Sequence, residues 1–368
     1  IDDESKSNDE NKLKNYKRAE ELLSKILGGK ESKSHYSFKV SPLNSREKLE
    51  TVEDLDRVKL NFRNQNYPHD KVLPIIGIRF KLEILRINGK LKENEYKGYD
   101  RIVIAATMIT LAYLGVGKAA SRGFGRFIPS KLGSSNNKSY EIKLYDDPDL
   151  KDVYESILNG DPLKAFKSFY NLIRKSYGSG DEADWRESWV PLSPSIDGEE
   201  SIKVINCPMG GLDIIKVMNI IFKSVQKASF KRYVFNINTT SPGPFIHTWL
   251  LGLPRSAKRS DHRPNYSYQS NQGQIEYLGY LKLLSDNKYD NNVRRQSAYI
   301  ISPVLLPNGK FKICIIPFLS LKDHENVLEF LIHVGKHNND WNSQVDKDNV
   351  TIHIVRLIKT VGKNNTLY

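Results

Sequence analysis

The residues best suited to chemistry lie together between Gly115 and Pro129, which read Gly-Val-Gly-Lys-Ala-Ala-Ser-Arg-Gly-Phe-Gly-Arg-Phe-Ile-Pro. Gly115, Gly117, Gly123 and Gly125 are interleaved there with Lys118, Ser121, Arg122 and Arg126. Glycine lets the backbone take positive φ and come close to a ligand. Exposed backbone N–H groups can form a concave anion nest, and lysine and arginine add the charge that phosphates attract. A mononucleotide phosphate loop does not fit. Lys118 follows Gly117, but Ala119 stands where Ser or Thr is needed, Gly-x-Gly-x-x-Gly is absent, and the stretch follows a helix-like run, not a strand. An extended anion such as an RNA backbone suits the loop better. The competing reading is a tight helix-to-strand turn with solvated charges.

A second basic cluster runs from Pro254 to Pro264 and contains Arg255, Lys258, Arg259, His262 and Arg263, with Tyr266 and Tyr268 just beyond it. It has no apolar periodicity and reads as an exposed loop. Aromatic residues beside basic ones suit base stacking. Arg294 and Arg295 form a third patch. For both patches, RNA contact and docking of an acidic protein partner stand open.

Catalytic candidates are fewer. His247 and His262 are the histidines placed to act as general acid or base on RNA, but neither pairs with Ser, Lys or Tyr in a recognisable site. His333 and His337 are four apart and would share a helix face. No matching carboxylate accompanies them, so a metal site is not expected. Asp146-Asp147-Pro148-Asp149 reads as a turn with a helix N-cap at Asp149. Cys207 and Cys314 are too few for a disulfide framework and sit among apolar residues, as buried free thiols of a reducing cytoplasm do. No cofactor is expected.

Composition sets the class of partner. The 368 residues carry 56 Lys and Arg against 43 Asp and Glu, a net charge of +13. That surplus favours nucleic acid or another anionic surface. A membrane span is not expected. The longest apolar run, Ile102 to Leu114, is interrupted by Thr107 and Thr110 and is shorter than the ~20 residues a span needs. No secretory signal opens the chain.

The elements that must hold these residues follow from periodicity. Lys12 to Leu27 reads as an amphipathic helix, Ser34 to Val40 as a strand, and Pro42 to Lys71 as a long loop. Pro74 to Ile87 alternates as a strand, Asn88-Gly89 turns, and Tyr99 to Leu114 is apolar enough to be a buried helix. Gly125 to Pro129 is expected to form a short strand and Tyr140 to Tyr145 another. Leu163 to Tyr177 reads as a helix. Gly178 to Gly198 is rich in Gly, Ser, Pro and acid and is the expected domain boundary, with Trp185 and Trp189 on a small helical plug. Beyond it come a strand (Ile202–Ile205), a helix (Leu212–Ala228), a strand (Tyr233–Asn238), a hairpin (Ala298–Leu306 with Lys310–Pro317), a helix (His324–His337) and a strand (Val350–Leu357).

This is the ferredoxin-like order βαββαβ. The first half repeats it apart from an opening strand, expected to lie ahead of Ile1. The fold expected is therefore α+β, two tandem ferredoxin-like (RRM-like) domains with insertions, spanning 1–190 and 191–368.

The glycine loop resembles the signature of the RAMP proteins of CRISPR–Cas systems: Gly-x-Gly, small or basic residues, then Arg-Gly-Phe-Gly, here Arg122 to Gly125. Leu251-Gly252-Leu253-Pro254-Arg255 resembles a (Phe/Leu)-Gly-Leu-Pro segment of the first-numbered subunit of type III-B (Cmr) complexes. Arg294-Arg295-Gln296-Ser297 resembles its Arg-Arg-x-Ser-Pro segment, with Ala298 in place of Pro. The helix ending at Gly28-Gly29 and the strand led by Ser34 are similar to its opening helix and strand. The family's Thr-Pro strand and its Leu-Arg-Trp-Trp-like helix start are not in this sequence. The resemblance implies two tandem RAMP domains and a non-catalytic cytoplasmic subunit that binds guide RNA near its 3′ end. It also implies target RNA and other RAMP subunits as partners. A metal-independent RAMP endoribonuclease is the alternative.

Overall fold

The computed structural model describes residues 24, 34–43, 50–51, 75–76, 78–87, 93–117, 120–129, 147–178, 194–207, 210, 213–225, 267–270, 273–283, 297–319, 327–334, 354–356 and 358–359. It divides into two compact units, Ile1–Thr107 and Met108–Tyr368. The division falls inside the helix Glu93–Ile109. In the second unit the glycine loop packs on the strand Tyr299–Leu305 and the helix Ile214–Val225.

In the first unit, β1 (Tyr36–Pro42) pairs antiparallel with β4 (Phe80–Arg86), with Tyr36 opposite Arg86 and Pro42 opposite Phe80. Two short strands, β2 (Glu50–Thr51) and β3 (Ile75–Ile76), pair separately. The expected strand Pro74 to Ile87 is thus two strands. Helix α1 (Glu93–Ile109) begins ahead of the expected Tyr99. Its Tyr99, Ile102, Val103, Ala105, Met108 and Ile109 are buried, while Arg101 is exposed.

A polar strap joins these elements. The Tyr36 hydroxyl donates to Asp100 Oδ1 at 2.7 Å, and Arg86 donates through Nε to the same oxygen at 3.3 Å and through Nη2 to Oδ2. Asp100 is buried, so its charge is matched in place.

In the second unit, α2 (Pro148–Leu158) and α3 (Pro162–Tyr177) form a helical hairpin, each opening on Asp-Pro. Proline at the first helical position needs no N–H partner, and the aspartate before it caps the turn. Asp147 accepts from the N–H groups of Asp149 and Leu150 at 3.1 and 3.2 Å, and Asp161 from Lys164 at 3.0 Å. The cap of α2 is therefore Asp147 and not Asp149. Pro148 fixes the choice, because it fits the first helical position and leaves the preceding residue extended. Asp149 instead pairs with Lys175 at 2.7 Å.

The core of this unit is a three-stranded antiparallel sheet, β5 (Lys203–Asn206), β9 (Phe311–Pro317) and β8 (Tyr299–Leu305), in that order. Ile301, Ile313, Ile315 and Ile316 of this sheet are fully buried, with Ile220 and Ile221 of α4 (Ile214–Val225). Each such side chain stabilises by about 1.5–3 kcal/mol relative to exposure. Strand, helix, then hairpin, with the first strand beside the third, is the observed arrangement.

A separate sheet joins β6 (Ser267–Ser270), β7 (Gly273–Leu283) and β10 (Val327–Val334).

Three further expected elements differ. Val327–Val334 is a strand paired with β7, not part of a helix. Its run Val-Leu-Glu-Phe-Leu-Ile-His-Val satisfies either period, and the long partner strand decides. The expected terminal strand Val350 to Leu357 is helical at 354–356. There Ile354 and Ile358 are fully buried four residues apart, which is helical spacing. Gly125 to Pro129 joins no sheet; Phe127 N–H donates instead to Leu111 O at 2.8 Å. The expected helix Lys12 to Leu27, all but Ser24, the expected strands Tyr140 to Tyr145 and Tyr233 to Asn238, and the plug around Trp185 lie outside the described residues.

Candidate nucleic-acid interface

The glycine loop starts where α1 ends in a widened turn, Thr110–Leu114, with π-type hydrogen bonding. Gly115 (φ 75°) closes that turn, its N–H donating to Thr110 O at 2.5 Å. The neck of the loop is tied by Val116 N–H to Gly125 O at 3.1 Å. Between them Ala120–Arg122 forms one 3₁₀ turn, flanked by Ala120 N–H to Gly117 O (3.3 Å) and Gly123 N–H to Ala120 O (3.1 Å).

Gly115, Gly123 and Gly125 are required by geometry; a Cβ on Gly115 would run into Phe124 O and the Arg126 guanidinium. Gly123 has φ 90°, and a Cβ there would lie 2.9 Å from Pro303 Cδ and 3.1 Å from Met218 Sδ, against β8 and α4. Gly125 has φ 64°, and a Cβ there would run into the Val116 carbonyl at the neck. Phe124, between them, packs on Phe222 of α4 with ring centroids 5.0 Å apart. The loop is therefore held down at Gly123 and Phe124, while Val116 and Gly117 are exposed.

Arg126 has a place that spacing did not suggest. Its Nη1 donates to Phe124 O, its Nη2 to Ala120 O and its Nε to the buried Ser302 Oγ of β8, each at 2.7 Å. Among the described residues no carboxylate pairs with it. Burial pushes the guanidinium down to about 9, and nearby Cys314 pulls the other way. The group is still charged at neutral pH. Three of its five N–H donors are thereby occupied by the protein. A signal was present in the sequence, since Ser302 is a polar residue inside the apolar run Ile300 to Val304 and a buried hydroxyl needs a partner.

The Tyr113 hydroxyl is buried without a hydrogen-bond partner, and burial, with Cys314 and Asp161 nearby, raises its pKa above the ordinary phenol value. Burial likewise raises the Cys314 thiol, with Arg126 opposing.

Of the residues chosen from the sequence, the structure brings together Gly115, Gly117, Ser121, Gly123, Gly125 and Arg126 in one closed loop. Lys118 and the Arg122 side chain lie outside the described residues. So do Arg255, Lys258, Arg259, His262, Arg263, Arg294 and Arg295, and the candidate base His247. His333 lies on strand β10 and not on a helix, and His337 lies outside the described residues. Among the described residues no three His, Cys, Asp or Glu gather as a metal site, and no helix is long and apolar enough to cross a membrane.

An α+β unit with a closed glycine-rich loop at a helix end is the class these observations define. The RAMP superfamily model matches residues 2–128, which takes in the whole glycine loop, so the resemblance to RAMP proteins is found over that stretch. A search of curated proteins finds no match. Among solved structures, apo Cmr1 from Pyrococcus furiosus aligns at 14% identity over 92% of this chain and 81% of that one, with a TM-score of 0.46. A chain of type III-B Cmr-beta bound to cognate target RNA and AMPPnP aligns at 11% identity over 96% and 87%, with a TM-score of 0.47.

Proposed function

We propose that this chain is a non-catalytic RNA-binding RAMP subunit of a type III-B (Cmr) CRISPR ribonucleoprotein in the cytoplasm. In this reading it holds guide RNA near the 3′ end beside other RAMP subunits and helps position target RNA, while another subunit cuts. Its domains are two tandem ferredoxin-like units with insertions, 1–190 and 191–368. Lys118 and Arg122 of the glycine loop, with the basic stretches around Arg259 and Arg295, meet phosphates.

The observation that carries the reading is the coincidence of two things at one place. The RAMP match ends at Ile128, just past the glycine loop, and that loop is a closed, positive-φ structure of the kind that brings peptide N–H groups to an anion. The net charge of +13 supports a polyanionic partner. The Cmr assignment adds the segments at Leu251 to Arg255 and Arg294 to Ser297.

The test is titration of labelled single-stranded RNA with the full chain, at two salt concentrations, followed by incubation with and without divalent metal. The reading expects binding that weakens steeply with salt, by roughly 0.7 log units per phosphate contact per log unit of salt, and intact RNA afterwards. No binding at low salt would refute it. Multiple-turnover cleavage abolished by His247→Ala or His262→Ala would replace it with the nuclease.

A further inference from the structure

We propose that Arg126 is a positioning residue of the glycine loop: from beneath, it sets the loop so that peptide N–H groups, and not carbonyl oxygens, face the bound phosphate. This rests on the RNA-binding reading above and names what shapes that site.

A trans peptide is planar, with its C=O and N–H antiparallel. The carbonyls of Ala120 and Phe124 both turn to the Arg126 guanidinium, at 2.7 Å each. The N–H groups in those same two peptide units, of Ser121 and Gly125, therefore point away from it. Two carbonyl dipoles that would repel an anion are turned toward one half-buried cation and neutralised by it.

The guanidinium is itself fixed. Nε donates to Ser302 Oγ in the middle of β8, and a Cβ on Gly115 would land on Nη1. Arg126 thus sits directly under the backbone at Gly115, tied to the sheet on one side and to the loop on the other. Because the charge is half-buried, salt screens its field less than that of a surface lysine. It also displaces no counterion from RNA, so it should raise affinity without adding to the salt slope.

A direct phosphate contact, a core staple and a positioning residue then give three different results. The full chain and its Arg126→Gln, Arg126→Lys and Ser302→Ala variants are titrated with a labelled oligouridine RNA at two salt concentrations, with a thermal melt of each. Arg126→Gln should bind roughly tenfold more weakly at both salts, the loss of about one charge-assisted hydrogen bond, with the parent's salt slope. Arg126→Lys should recover part of the affinity. Ser302→Ala, which removes no charge, should move affinity in the same direction by less.

A salt slope reduced by about 0.7 in Arg126→Gln would make the residue a phosphate contact and overturn the proposal. Unchanged affinity with a lowered melting temperature would make it only a staple, and would also overturn it. Where Arg126→Gln fails to fold, Ser302→Ala decides by the same two criteria. A parent that binds no RNA sinks the functional reading and this proposal with it; a parent that binds while the variants bind equally well sinks this proposal alone.

Discussion

Replacing Gly125 by alanine should test the loop's architecture without touching any charge. Its φ of 64° is left-handed, which costs a residue bearing a Cβ about 1–2 kcal/mol. The new methyl would also meet the Val116 carbonyl, and would lie 2.8 Å from Val116 N and 2.9 Å from Val116 C, all backbone atoms that cannot swing aside. Overpacking of that kind adds about 1–3 kcal/mol. The sum, about 2–5 kcal/mol, should lower the melting temperature of the unit by roughly 5–15 °C. Gly117→Ala is the internal control. Its φ is 86°, but a Cβ there meets nothing within 4 Å, so only the backbone penalty applies. Differential scanning of both variants, with RNA affinity measured below the lower transition, separates the terms. Equal melting of Gly125→Ala and Gly117→Ala would refute the tied neck between Val116 and Gly125.

Other consequences follow from the buried polar groups. Asp100→Ala removes the acceptor shared by Tyr36 and Arg86 and should destabilise the first unit by about 3–5 kcal/mol, read by melting or by the rate of limited proteolysis. Asp147→Ala should cost about 1 kcal/mol through the lost cap of α2, seen as a small drop in melting temperature. Tyr113→Phe removes a buried hydroxyl that has no partner and should be neutral or stabilising by up to about 2 kcal/mol at pH 7. The same variant carries a pH test. Burial holds the Tyr113 phenol protonated in the fold above its ordinary value of 10.0, so the unfolded chain loses that proton first. The associated stability is complete below about pH 10 and is lost as pH rises beyond it, and Tyr113→Phe should flatten that loss in alkaline denaturation curves. Cys314, fully buried, should react with a thiol reagent only after unfolding.

Much of this architecture was legible where one physical signal dominated. The hairpin Tyr299–Leu305 with Phe311–Pro317 is announced by Asn308-Gly309 between two β-branched runs. The helix Pro162–Tyr177 is announced by its Asp-Pro start and apolar stripe. Signals failed where two periods fit the same residues. Val327–Val334 is apolar at helical and at strand spacing, and only pairing with Gly273–Leu283, more than forty residues earlier in the chain, selects the strand. The loop was found from glycine and charge, but not its internal order. Composition treats Arg122 and Arg126 alike, whereas the hydrogen bonds to Ala120, Phe124 and Ser302 turn Arg126 inward. That distinction depends on a serine 176 residues away in the sequence, and no local pattern contains it.

The central claim is that the glycine loop binds RNA through Lys118 and Arg122. The most direct measurement is the salt dependence of single-stranded RNA affinity for the full chain and for the Lys118→Ala, Arg122→Ala double variant. Weaker binding and a salt slope reduced by about 1.4 are expected, two phosphate contacts at roughly 0.7 each. A double variant that binds RNA as the parent does at both salt concentrations would contradict it, and would leave the loop as a turn.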